Sequence, residues 1–142
     1  MDYACWCYGL ADRPCNPVQP ETLQVLLLLT SLAIIPQPSI GKLYRSHRSW
    51  TKKFGFNNIN ALLNGPPDLS PTEVVHALTR YSGGYCHELN SAFLNAINSL
   101  GLSAKPVLAT VRYGMPAGTS VRSHLVLVTE LQDRFYLSDT GF

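Results

Sequence analysis

Apolar positions follow a helical period through the first two thirds of the chain and a strand period afterwards. Residues 3–10 suit a short first helix, with Gly9 near its end. Pro20, Glu21 and Thr22 open a second helix, because proline fits the first turn and an acid there faces the positive end of the dipole. The apolar run at residues 23–35 continues it and Pro36 stops it. Residues 36–53 read as an irregular insertion, broken by Pro36, Pro38 and Gly41. Residues 56–63 are expected to be short and partly ordered, before Gly65, Pro66 and Pro67 turn the chain. Ser70-Pro71-Thr72-Glu73 has the form of a capping box. It starts a helix with Val74, Val75, Leu78 and Tyr81 on one face, ended by Gly83 and Gly84. A further helix runs from Cys86 to Leu100. Its face is Leu89, Phe93, Ala96, Ile97 and Leu100, and Gly101 is a left-handed stop.

From residue 106 the pattern changes. Residues 106–112 and 124–131 are β-branched and apolar, and Gln132-Asp133 turns the second of them into a strand at 134–138. Helices come first and strands second, so the fold class is α+β. A helical part at residues 1–85 is followed by the helix from Cys86 and a partial β-barrel at residues 86–142.

Composition narrows the function. Apolar residues make up 46% of the chain, enough for a packed core. A net charge of +2 is too small to argue for nucleic acid. Lys42, Arg45, Arg48, Lys52 and Lys53 cluster in the irregular segment with Trp50 and read as a solvated surface. The run at 23–35 is shorter than the ~20 residues that span a bilayer, and the N-terminus lacks a basic leader, so neither membrane nor export is expected. Cys5, Cys7 and Cys15 have no zinc-like spacing, so no metal is expected, and a cytoplasmic setting suits a reactive thiol.

The candidate chemistry lies in three short segments. Cys86 follows Gly83 and Gly84 at the mouth of a helix, where unpaired N–H groups favour a thiolate. The glycines also let the backbone approach a substrate and adopt positive φ. His124 begins an apolar strand and Asp139 follows another. A cysteine, an imidazole and a carboxylate in that order can act as nucleophile, general base and the group that orients the base. His47, His76 and His87 read as incidental; His87, next to Cys86 on the helix, points elsewhere.

These segments resemble the arylamine N-acetyltransferases. Residues 82–90, Ser-Gly-Gly-Tyr-Cys-His-Glu-Leu-Asn, are similar to that family's Arg-Gly-Gly-x-Cys-x-Glu-x-Asn signature. Ser123-His124-Leu125-Val126-Leu127 resembles its histidine strand, and residues 136–142 its Tyr-Leu-Val-Asp-x-Gly-Phe segment. Glu21-Thr22-Leu23 resembles the start of its second helix, and Phe56-Asn57-Asn58-Ile59 its Phe-Glu-Asn-Leu segment. Residues 36–53 have no clear counterpart.

The resemblance implies a cysteine-protease-like core in which Cys86 accepts acetyl from acetyl-CoA, His124 is the base and Asp139 orients it. An arylamine, hydrazine or N-hydroxyarylamine then takes the acetyl group by a ping-pong route. Phe142, Tyr85 and Phe56 are implied at the substrate, with Gly83, Gly84, Glu88 and Asn90 as structural support. Two family charges are replaced, by Ser82 and Asn57. Losing one buried partner costs ~3–5 kcal/mol whereas replacing both can be near neutral, so these two residues are expected close together. The resemblance also implies an N-terminal half, with the C-terminal α/β domain missing and barrel edges left open. Such a piece could be a truncated, non-catalytic remnant. A papain- or transglutaminase-like thiol hydrolase would use the same residue order.

Overall fold

The structure is a computed structural model, and it describes residues 37–114, 116, 118 and 121–142. The helices expected at residues 3–10 and 20–35, and Cys5, Cys7 and Cys15, lie outside those residues. In order, the elements are α1 (Ile40–Lys53), β1 (Gly55–Phe56), α2 (Ile59–Asn64), α3 (Pro71–Tyr81), β2 (Gly83–Gly84), α4 (Cys86–Ser99), β3 (Ala104–Ala109), β4 (His124–Leu131) and β5 (Arg134–Ser138). Helices and strands are mixed as an α+β fold requires.

The segment expected to be irregular is instead the helix α1. Pro36 and Pro38 precede its cap, and Ser39 accepts a hydrogen bond from the Lys42 N–H at 3.2 Å. Its buried stripe is Lys42, Leu43, Ser46 and Trp50, a helical spacing in which two of the four members are polar. Lys42 is not solvated: it is 4% exposed, and its Nζ donates to the Leu100 carbonyl at 2.6 Å. A cation thereby meets the negative end of α4. Trp50 packs on Phe54 and Phe93, with ring centroids 4.9 and 5.3 Å apart.

Helix α3 has the expected proline at its first turn and buries Val74, Val75 and Leu78. The capping box is absent: the Ser70 side chain makes no cap bond, and its N–H donates to Asp68 Oδ1 at 2.8 Å. Tyr81 is exposed rather than on the buried face. The left-handed stop falls on Ser82, at φ 55°, not on the glycines after it. Gly83 and Gly84 serve a different purpose. They pair in parallel with Gly55 and Phe56, and a Cβ on Gly83 would lie 2.2 Å from the Gly55 carbonyl oxygen. A Cβ on Gly84 would lie 2.8 Å from Glu88 Oε2. Both glycines thus permit close packing inside the protein. Ser82 and Asn57 flank these paired strands, and the register puts them three positions out of step, about 10 Å along the strand direction. Asn57 Oδ1 instead accepts from the Ile59 N–H at 2.9 Å. The expected side-chain adjacency of Ser82 and Asn57 is therefore not formed.

Helix α4 follows its predicted course. Leu89, Phe93, Ala96 and Ile97 are buried, and Gly101 takes φ 82° after the last turn. The three strands after it form one antiparallel sheet with β4 in the middle. Among the described residues this sheet is open rather than a barrel. Gln132 and Asp133 both adopt left-handed φ, the geometry of a two-residue hairpin turn. One face of β4, with Leu125, Leu127 and Thr129, is fully buried. The opposite face leaves Val107, Phe135 and Leu137 exposed.

Candidate active site

Three elements carry the three expected residues; the His124 and Asp139 side chains meet, and the loop after Asp139 lies against Cys86. Cys86 is the first residue of α4, His124 the first of β4, and Asp139 follows the last residue of β5. Antiparallel pairing of Leu127 with Ser138 returns the chain beside β4, so Asp139 arrives near the strand's start. His124 Nε2–H donates to Asp139 Oδ2 at 2.6 Å. Holding the proton on Nε2 leaves Nδ1 of a neutral ring as the acceptor.

Asn90 fixes the loop. It lies one turn after Cys86 on the same helix and is fully buried. Its Nδ2 donates to the Leu125 carbonyl at 2.7 Å and to Asp139 Oδ1 at 3.1 Å. Its Oδ1 accepts from the Thr140 N–H at 2.9 Å and the Thr140 hydroxyl at 3.0 Å. All four bonding positions of the amide are used. The Gly141 N–H adds a bond to Asp139 Oδ1 at 3.0 Å. Burial alone would push the Asp139 carboxyl up. The bonds from His124, Asn90 and Gly141, with the His124 charge, outweigh it and hold the group below the usual aspartate range.

Cys86 is a free, buried thiol placed by packing. A Cβ on Gly141 would stand 2.6 Å from Cys86 Cα and 3.1 Å from its Cβ, so glycine alone lets the Asp139 loop lie against the cysteine. Phe142, 85% exposed, meets the His124 ring edge-on at 5.5 Å. On the other side Tyr85 stacks on His87 at 5.3 Å. Burial, then the charges of Glu88 and Cys86, push the Tyr85 hydroxyl up to about 12. Glu88 is 4% exposed, and its Oε2 accepts the Tyr85 N–H at 2.9 Å. Its carboxyl is raised by burial, against the lowering effect of that bond. Phe56 is exposed and lies opposite Gly84 in the strand register, two residues ahead of Cys86. A cavity of about 330 Å³ bordered by Asn57, Asn60, Tyr81, Gly84 and Glu88 lies beside this strand pair.

Two histidines set aside as incidental are joined to this loop system. His47 Nε2–H donates to the Asp139 carbonyl at 2.8 Å across 92 residues, and His87 Nε2–H donates to the Ser123 carbonyl at 3.0 Å. Neither contact has a local signature in the sequence. No metal-binding cluster of three or more His, Cys, Asp or Glu occurs among the described residues. No described helix is long and apolar enough to cross a membrane.

A helix that begins with the Cys86 thiol packs against the sheet that carries the His124–Asp139 pair. The N-acetyltransferase family model matches residues 39–142, and the chain belongs to that family. The match includes the α1 segment that seemed to lack a counterpart. The arylamine N-acetyltransferase / N-hydroxyarylamine O-acetyltransferase of Salmonella typhimurium is 29% identical over 106 residues, covering 74% of this chain and 38% of that one. The Escherichia coli arylamine N-acetyltransferase is 32% identical over 90 residues, covering 61% and 31%. The solved Salmonella typhimurium enzyme superposes with TM-score 0.77 at 26% identity, over 85% of this chain and 44% of that one. The Mycobacterium marinum enzyme in complex with CoA gives TM-score 0.75 at 26% identity, over 84% and 46%. The chain thus spans less than half the length of these relatives.

Proposed function

We propose that the chain carries the acetyl-accepting centre of an arylamine N-acetyltransferase. The observation that carries this reading is the 2.6 Å bond from His124 to Asp139, on a loop packed against Cys86 at the start of α4. Cys86 is the nucleophile, His124 the base through Nδ1, and Asp139 the carboxylate that holds the ring in place. The Cys86 proton passes to His124 while sulfur attacks the thioester carbonyl of acetyl-CoA. A carbon–sulfur bond forms, the bond to CoA breaks, and the CoA thiolate takes the proton back. An arylamine, hydrazine or N-hydroxyarylamine then attacks the acetyl-cysteine, His124 removes its proton, and the Cys86 thiol is regenerated.

One thioester replaces another in the first half, so little energy separates them. The exposed Phe142 beside His124, with Tyr85 on the other flank and Phe56 nearby, offers aromatic surface to a flat acceptor. Gly83, Gly84, Glu88 and Asn90 support the centre. Acetyl-CoA as donor agrees with the CoA complex of the Mycobacterium marinum neighbour. A reducing cytoplasm is the compartment in which such a thiol stays free. A thiol hydrolase would use the same three residues, but the family match favours acetyl transfer.

The test is to incubate reduced protein with acetyl-CoA and weigh it intact. A gain of one acetyl group, absent in Cys86→Ala, is expected. Acetylation of Cys86→Ala to the same extent would remove Cys86 from the role.

A further inference from the structure

We propose that His47 is a positioning residue for the Asp139 carboxylate, acting through the Asp139–Thr140 peptide; this rests on the triad reading above. That peptide unit is gripped on both sides. Its N–H donates to Asn90 Oδ1 at 2.9 Å, and its C=O accepts from His47 Nε2 at 2.8 Å. A peptide bonded at both ends cannot rotate without breaking one bond, and rotation would swing the Asp139 side chain away from His124. Asn90 alone supplies one end. His47 supplies the other, from a different helix.

The mount is stiff. His47 sits mid-way along α1, and its ring meets Phe93 edge-on at 5.8 Å. Phe93 is fully buried in α4, the helix that carries Cys86 and Asn90. The same ring therefore touches the nucleophile's helix and the carboxylate's loop. A carbonyl only accepts, so Nε2 must carry a proton, which assigns His47 a donor's role and not that of a second base.

The experiment measures the rate of Cys86 alkylation by iodoacetamide in the full chain, read by peptide mass. His47→Phe keeps the ring contact with Phe93 and drops the donor; His47→Gln keeps a donor. His47→Phe is expected to slow alkylation roughly five- to ten-fold, the worth of one hydrogen bond, and His47→Gln to recover most of that loss. Because His47 acts through Asp139, adding His47→Phe to Asp139→Asn should slow the reaction no further. A wild-type rate in His47→Phe, or a full additional loss in the double variant, overturns the proposal. If His47→Phe melts below the assay temperature, His47→Met takes its place with the same outcomes. Equal rates in the wild type and His124→Gln would instead sink the triad reading itself, a result distinct from either.

Discussion

Replacing Asn90 by alanine removes four hydrogen bonds from a fully buried position. The Leu125 carbonyl and the Thr140 N–H lose their partner inside the protein, where each unsatisfied polar group costs about 1–3 kcal/mol. The lost side-chain packing is small, since alanine keeps the Cβ. The expected destabilisation is about 3 kcal/mol, a large part of the ~5–15 kcal/mol that holds a domain folded. Two consequences separate this from generic core damage. Asp139 loses one of the donors that hold its carboxyl down, so that group should move back toward the usual aspartate range. Cys86 should also react more slowly, because the loop against it is released. Urea denaturation, read by tryptophan fluorescence and far-UV circular dichroism, gives the first quantity. A loss below about 1 kcal/mol, the worth of one ordinary hydrogen bond, would mean that Asn90 does not tie α4 to the Asp139 loop.

Gly141→Ala drives a Cβ into the Cys86 backbone, so it should destabilise by about 1–3 kcal/mol as overpacking does, measurable as a lower melting temperature. An unchanged melt would deny the close approach. Lys42→Met removes a charged donor from the Leu100 carbonyl, and the expected loss is about 2 kcal/mol in the same denaturation assay. No loss would return Lys42 to the solvated surface. Asp139 and Glu88 give opposite pH signs. The Asp139 carboxyl is held low, so its stabilisation is present above the unfolded aspartate range and fades as pH falls through the folded value. The Glu88 carboxyl is raised, so the folded state binds its proton more tightly, and stability is lost as pH rises through the folded value. Glu88→Gln should therefore flatten the decline just above the usual glutamate range, and an identical stability–pH curve would contradict that.

Periodicity made α4 and the strands legible. The stripe of Leu89, Phe93, Ala96 and Ile97 is wholly apolar, and Gln132-Asp133 marks the hairpin between two β-rich runs. Helix α1 was hidden by its own buried face. Lys42 and Ser46 sit where an apolar residue is expected, and Lys42 is satisfied by a partner far along the chain. The Cys86, His124 and Asp139 segments stood out as motifs because their chemistry is local in type and order. The histidine bonds to Asp139 and Ser123 did not, because each is made to a backbone carbonyl, which any residue offers. Gly83 was read as serving a substrate, since sequence shows only that a side chain is missing and not which neighbour fills the space. The paired replacement of Ser82 and Asn57 suggested contact, but strand register is set by Gly55 against Gly83 and carries the two out of step.

The decisive measurement is the single-turnover rate of acetyl transfer from acetyl-CoA to Cys86, in the wild type and in His124→Gln. With His124 acting as the base for Cys86, the variant should be slower by about 10²–10⁴-fold. Equal rates in a folded variant would contradict the account.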